Sequence, residues 1–106
     1  MAGTDFDGER EGEFAVEERR KVKRPRRFKV LLHNDDYTSM EFVVHVLTKH
    51  FRKPPAEATQ IMLEVHFKGV GTAGVFPREI AETKVAEVMD EARESGMPLQ
   101  LTTEPE

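Results

Sequence analysis

Several features common in proteins are missing from this chain, and each absence narrows what the protein can be. The 106 residues include no Cys, which excludes disulfides, thiolate zinc sites and Cys nucleophiles. No apolar run approaches the roughly 20 residues that a membrane-spanning helix needs. The acidic start, MAGTDFDGEREGEF, lacks the apolar stretch of a secretory signal. These absences favour a cytoplasmic protein that has no membrane partner.

The net charge of -4 conceals an uneven distribution along the chain. Residues 1–18 carry seven acids and one base, whereas residues 19–27 carry seven bases and no acid. Apolar residues are sparse in this segment, so burial cannot offset the entropy lost on ordering it. We predict a flexible extension over 1–27 and one folded domain over 28–106, which suits a chain of this length.

Hydrophobic spacing and helix-breaking residues predict the order β-α-α-β-α-β. Residues 28–33 form a short segment rich in bulky side chains, which is typical of a strand. Thr38 and Glu41 have the spacing of a capping box at a helix start. Pro54 and Pro55 end that helix and begin the next, which Gly69 closes.

The second half of the chain is punctuated in the same way. Residues 70–76 predict a weak strand, Pro77 begins a third helix, and Gly96 stands where its C-cap is expected. Residues 99–103 predict a last short strand. We therefore expect an α+β fold, a two-layer sandwich in which the helices cover one face of a three-stranded antiparallel sheet.

One loop and one helix carry the residues with the clearest binding chemistry. The Asn-Asp-Asp loop (residues 34–36) follows the first strand, and His66 lies four residues after Met62, on one helix face. Amide, carboxylate and neutral imidazole groups accept hydrogen bonds, which a charged amino group requires. Met40 and Met62 suit an adjoining apolar pocket because Met side chains adapt to varied shapes.

Each of these features also has an ordinary structural explanation. Most Asx-rich loops before helices are turns, and a Met at helical spacing usually lies in the core. A hydrolase that uses Asp35, Asp36 and His66 is an alternative, although no nucleophile elbow or HExxH pattern supports it. Nucleic-acid binding through residues 19–27 is another, although this run has no aromatic residue for stacking.

Longer runs of the sequence resemble the ClpS family of protease adaptors, in order between residues 28 and 103. The run VLLHNDDYTSMEFV is similar to the family motif around NDDYTPMEFV, with Ser39 in place of the usual Pro. Ala73 stands where the family commonly has Cys. The matching runs are residues 30–43, 58–66, 69–76, 79–85 and 98–99.

The resemblance implies an adaptor without enzymatic activity or cofactor. Such an adaptor binds N-degrons, which are bulky first residues (Leu, Phe, Tyr or Trp) of client proteins, and delivers those proteins to the ClpA/ClpP protease. By the same resemblance, Met40 excludes β-branched first residues. The resemblance implies that Asn34, Asp35 and His66 hold the α-amino group and first peptide bond of the client, and that Asp36 shapes or assists the loop. It also implies which residues line the pocket for the client's first side chain: Thr38, Met40, Val43, Met62, Val65 and Leu99.

The resemblance also implies a second surface, on the third helix. Glu79, Thr83 and Lys84 are expected to contact the N-terminal domain of a ClpA-type ATPase, although a solvated helix face is the ordinary explanation of this spacing. The basic run is then part of an accessible extension, and no nucleic acid is expected as a partner. The adaptor is expected to be a monomer.

Overall fold

Residues 26–106, which the computed structural model describes, contain three helices and three strands in the predicted order. The α+β fold with its three-stranded antiparallel sheet is confirmed. The predicted extension lies outside the described residues except for Arg26 and Arg27, and no helix within 26–106 is long and apolar enough to cross a bilayer. The elements are β1 (Arg27–His33), α1 (Met40–Phe51), α2 (Pro55–Lys68), β2 (Val70–Pro77), α3 (Arg78–Glu94) and β3 (Gln100–Pro105).

Strand β1 is the centre of the sheet and pairs antiparallel with both β2 and β3. Val30 and Leu32 are fully buried, whereas the alternate residues Lys29 and Leu31 are only half-buried, so one face of β1 carries the core. The helices pack on that face through apolar stripes at helical spacing. Their fully buried members are Val46, Leu47, Ala58, Ala81 and Val88.

Strand β3 extends beyond its predicted end at Thr103. Phe28 lies opposite Pro105 in the ladder, and the Glu106 amide donates a hydrogen bond to the Arg27 carbonyl at 2.9 Å. Glu and Pro are both disfavoured in strands by their own propensity. The length of β3 is therefore set by its pairing with β1. The sequence of residues 99–103 alone carries no information about this pairing.

The N-terminus of α1 corrects one prediction. Ser39 is the N-cap, because its Oγ accepts a hydrogen bond from the Phe42 amide at 3.1 Å. The Thr38 hydroxyl donates instead to Asp35 Oδ2 at 2.6 Å, so the predicted capping box between Thr38 and Glu41 does not form. Ser is among the preferred N-cap residues, and Ser39 supplies a hydrogen bond that Pro has no side-chain oxygen to make.

Glycines end α2 and α3, as predicted. Gly69 has a φ of 90°, and its amide donates to the Val65 carbonyl at 2.9 Å. After α3, the amides of Gly96 (φ 75°) and Met97 donate back into the last turn, as in a Schellman motif. Because Gly69 directly precedes β2, it also fixes where α2 meets the sheet.

Candidate functional site

A pocket of about 250 Å³ opens between the Asn-Asp-Asp loop, the start of α1 and the second half of α2. The loop and α2 supply polar groups at its mouth, and Met and Val side chains supply apolar walls. All of the predicted client-binding residues except Leu99 line this pocket. They are Asn34, Asp35, Asp36, Thr38, Met40, Val43, Met62, Val65 and His66.

Backbone contacts hold the loop beside the end of α2. His33, the last residue of β1, pairs with Val70, the first residue of β2. The Asn34 amide donates to the Gly69 carbonyl at 2.9 Å, and Gly69 is also the C-cap of α2. The loop therefore begins where α2 ends. His66, in the last turn of α2, reaches the loop because the sheet brings these two chain segments together.

The Asp35 carboxylate organises the loop. Its Oδ1 accepts hydrogen bonds from the amides of Tyr37 and Thr38, each at 2.7 Å, and its Oδ2 accepts from the Thr38 hydroxyl at 2.6 Å. Burial disfavours the charged form, but these donors outweigh burial and hold the pKa of Asp35 below its usual value. The loop is thus a structural turn, and the residue that stabilises the turn keeps a negative charge in the pocket.

The other polar groups of the pocket face solvent. Asn34, Asp36 and His66 are exposed. The His66 ring packs edge-on against the exposed ring of Phe67, with the centroids 4.9 Å apart. Edge-to-face contact of this kind is a favoured geometry for aromatic rings. Sequence reasoning missed Phe67, because an apolar residue outside the buried stripe of a helix carries no periodic signal.

The apolar walls are graded from buried to exposed. Val43 and Val65 are 6% and 2% exposed, Met62 is half-buried, and Met40 is 45% exposed at the mouth. The structure places Leu99 in the hydrophobic core, at 2% exposure, and not among the residues that line the pocket. Val65 has the same exposure and does line the pocket, so burial alone does not exclude Leu99, and its role as a pocket residue stays a prediction.

This arrangement suits a small ligand with a cationic end and an apolar end. Ionised carboxylates and an amide oxygen accept hydrogen bonds from a cation, and the adjoining walls remove an apolar group from water. Residues 26–106 hold no cluster of three or more His, Cys, Asp or Glu side chains placed to bind a metal.

The predicted ATPase surface on α3 is only partly a solvated face. Glu79 and Thr83 are exposed, whereas Lys84 is half-buried. The Lys84 ammonium donates to the His50 carbonyl at 2.9 Å and lies 5.8 and 5.6 Å from the ring centroids of Phe51 and Phe76. Lys84 therefore caps the end of α1 and covers two rings, which gives it a structural role that the sequence did not indicate.

A charged cluster joins α1 to α3 on the outside of the molecule. One carboxylate, Glu91, faces His45 and His50 Nε2, each at 2.7 Å, and Lys49 Nζ at 3.1 Å. Because an ionised carboxylate only accepts, each facing ring nitrogen must carry a proton. The pKa of Glu91 is lowered to about 2, most strongly by the hydrogen bond from His50 and then by those from His45 and Lys49. The sequence contained a partial signal, since the three donors lie within two turns of one helix.

Comparison with known proteins identifies the family. The model of the ATP-dependent Clp protease adaptor protein ClpS matches residues 23–102. The chain belongs to the ClpS family. A ClpS from Nitratidesulfovibrio vulgaris is 57% identical, over 92% of this chain and 96% of its own. Another, from Rhodospirillum centenum, is 58% identical over 84% and 82% of the two chains.

A solved structure shares both sequence and fold with this ClpS-family chain. Agrobacterium tumefaciens ClpS2, bound to L-phenylalaninamide, is 46% identical and has a TM-score of 0.75, covering 78% of this chain and 100% of that one.

ClpS proteins are adaptors of an ATP-dependent protease. The prediction of an adaptor rather than an enzyme is confirmed, and the hydrolase alternative is set aside. The nucleic-acid alternative falls almost entirely outside the described residues.

Proposed function

We propose that this ClpS-family adaptor captures proteins whose first residue is Leu, Phe, Tyr or Trp. The α-ammonium group binds at the mouth, where Asn34, Asp36 and His66 are exposed and Asp35 keeps its charge. The bulky side chain enters between the Met and Val walls. The observation that carries this proposal is that one pocket joins an acceptor-lined, anionic mouth to apolar walls.

The ligand of the 46% identical relative supports the same division of the pocket. L-Phenylalaninamide combines a free ammonium group, a benzyl side chain and an amide in the place of the first peptide bond. An internal Phe offers only a neutral amide nitrogen, which carries no positive charge for the mouth to recognise. A pocket of this kind therefore distinguishes the start of a chain from its interior.

Both halves of the pocket are needed for useful affinity. Burying a Leu or Phe side chain contributes about 1.5–3 kcal/mol, whereas micromolar binding requires about 8 kcal/mol. Charge-assisted hydrogen bonds at the mouth supply much of the remainder. Met40 is 45% exposed and narrows the entrance of the pocket. Client side chains with an unbranched Cβ therefore enter, whereas those of Ile and Val do not.

A peptide with a free N-terminal Phe should bind, whereas its N-acetylated twin should bind at least about 100-fold more weakly. Acetylation removes the positive charge and keeps the Phe side chain. Isothermal titration calorimetry measures both affinities, and a peptide with Phe moved to the second position controls for burial of the ring alone. Equal affinities for the free and acetylated peptides would contradict the proposal.

We also propose that the loaded adaptor is delivered, as a cytoplasmic monomer, to the N-terminal domain of a ClpA-type ATPase. The family description as a Clp protease adaptor supports a protease component as the partner. The exposed side chains of Glu79 and Thr83 offer polar contacts on α3, opposite its buried stripe. Lys84 contributes through its aliphatic stem and its charge at the edge of this surface.

Glu79→Lys should weaken binding of the isolated ATPase N-terminal domain about tenfold and leave Phe-peptide affinity unchanged, with only the small drop in Tm expected when a first-turn acid of a helix is lost. Lys84→Glu is the less informative variant, because it also removes the contacts to the His50 carbonyl and two rings. Glu57→Lys on α2 makes the same charge change elsewhere and serves as the control. Native ATPase affinity in Glu79→Lys would argue against this surface.

A further inference from the structure

Strand β2 approaches α2 very closely at Gly71, directly behind the wall of the pocket. A Cβ atom at this position would lie 2.7 Å from Val65 Cγ2, 3.4 Å from the Ile61 carbonyl oxygen and 3.5 Å from the Val65 amide nitrogen. The first distance is far inside an ordinary carbon–carbon contact of about 3.5–4.0 Å. Val65 is 2% exposed and also lines the pocket. The same side chain thus lies next to Gly71 and also borders the ligand space.

The sheet holds Gly71 in this position. Gly71 lies opposite Leu32, a fully buried residue of the central strand. A β-bulge follows at once, because Leu31 pairs with Thr72 while Val30 pairs with Gly74, which leaves Ala73 as the extra residue. Gly71 and Ala73, two residues apart on one strand, are both buried. Pairing with the buried strand β1 therefore restricts movement of β2 away from α2.

We propose that Gly71 is a positioning residue that sets the depth of the client pocket and so admits the largest first residues. The inference rests on the proposed function of the pocket. In a close-packed interior, an added methyl group must displace its neighbour, and the neighbour here is Val65. The pocket is the open space beside that side chain, so Val65 moves toward the ligand when Gly71 gains a Cβ.

The expected effect depends on the size of the client side chain. Relief of the contact requires Val65 to move by about 1 Å. Within a pocket of about 250 Å³, such a shift obstructs the indole of Trp more than the isobutyl group of Leu. For Gly71→Ala, we expect the Kd of a Trp-initiated peptide to rise about tenfold and that of a Leu-initiated peptide to change less than about twofold.

A double-mutant cycle tests whether Val65 transmits the effect. Val65→Ala removes the methyl group that the new Cβ would meet, so it should restore Trp binding in the Gly71→Ala background. Gly74→Ala is the matched control, since its Cβ would crowd the Phe76 ring at 2.8 Å on the same strand, outside the pocket lining. It should destabilise the fold but leave the ratio of Trp to Leu affinity unchanged.

The measurement is calorimetric titration of each variant with free Trp and Leu peptides. An unchanged Trp-to-Leu ratio in Gly71→Ala, or a failure of Val65→Ala to restore it, overturns the inference. If Gly71→Ala does not fold, Val65→Ala alone should raise the affinity for Trp relative to Leu, and an unchanged ratio there overturns it equally. Failure of the native chain to bind either peptide contradicts the proposed function itself, and the inference with it.

Discussion

Asp35→Ala should abolish the capture of a peptide with a free N-terminal Phe, with a loss of at least about 100-fold. Two effects add in this variant. The mouth loses a negative charge, and the amides of Tyr37 and Thr38 lose the acceptor that orders the loop. Calorimetric titration measures the loss, with circular dichroism to verify that the domain remains folded. Native affinity in Asp35→Ala would contradict the placement of Asp35 at the centre of the site.

Asp35→Asn separates the charge from the turn. The Asn carbonyl still accepts from the Tyr37 and Thr38 amides, whereas the negative charge is gone. We expect a loss of about tenfold, smaller than in the Ala variant. Because the hydrogen bonds from Thr38 and Tyr37 outweigh burial and hold the pKa of Asp35 below its usual value, the mouth keeps this negative charge at neutral pH, and peptide binding should not titrate with this carboxyl there. Equal losses in the Asn and Ala variants would assign the whole effect to charge.

Glu91→Gln should lower the free energy of unfolding by about 1–2 kcal/mol at neutral pH, without changing client affinity. The native carboxylate accepts from His45, Lys49 and His50, which together tie α1 to α3. A Gln side chain offers one acceptor oxygen and places an amide donor against these donors. Urea denaturation measures the difference, and Glu87→Gln, exposed on the same helix, should change stability much less.

The stabilisation by Glu91 should depend on pH in one direction. His50, followed by His45 and Lys49, lowers the pKa of Glu91 from 4.5 to about 2, so the folded chain binds fewer protons than the unfolded chain between these values. The stabilisation is then complete above about pH 5 and is lost as the pH falls toward 2. The stability difference between native chain and Glu91→Gln should shrink over this range. A constant difference would show that the cluster does not act through the charge of Glu91.

Local chemistry accounts for most of what could be predicted about the fold. Hydrophobic spacing predicted the three helices, and Gly69 and Gly96 were correctly placed at helix ends because glycine adopts a positive φ without a steric penalty. The cap of α1 was predicted one residue early. Thr38 and Ser39 are both good capping residues, and the competing acceptor on Asp35 draws the Thr38 hydroxyl away from the helix.

The candidate site was predicted from resemblance more than from physical patterns. Taken alone, the Asn-Asp-Asp loop is an ordinary turn signal, and Asp35 does act as a turn residue in the structure. The motif around residues 30–43 pointed to the loop and to Met40, and the run around 58–66 pointed to His66. Leu99 was carried over in the same way, and its side chain is buried in the core directly before β3.

The sequence alone specified the order of the elements, the faces they bury and the loop that carries charge, since each follows from residues close together in the chain. It did not specify the contacts of Lys84, the clustering of α1 donors around Glu91, or the closeness of Gly71 to Val65. Each of these joins elements that are separate in sequence. Their distances depend on the register of β1 with its two partners and on how the helices settle on that sheet. The tertiary packing therefore determines the depth of the pocket, whereas local sequence determines the charge at its mouth.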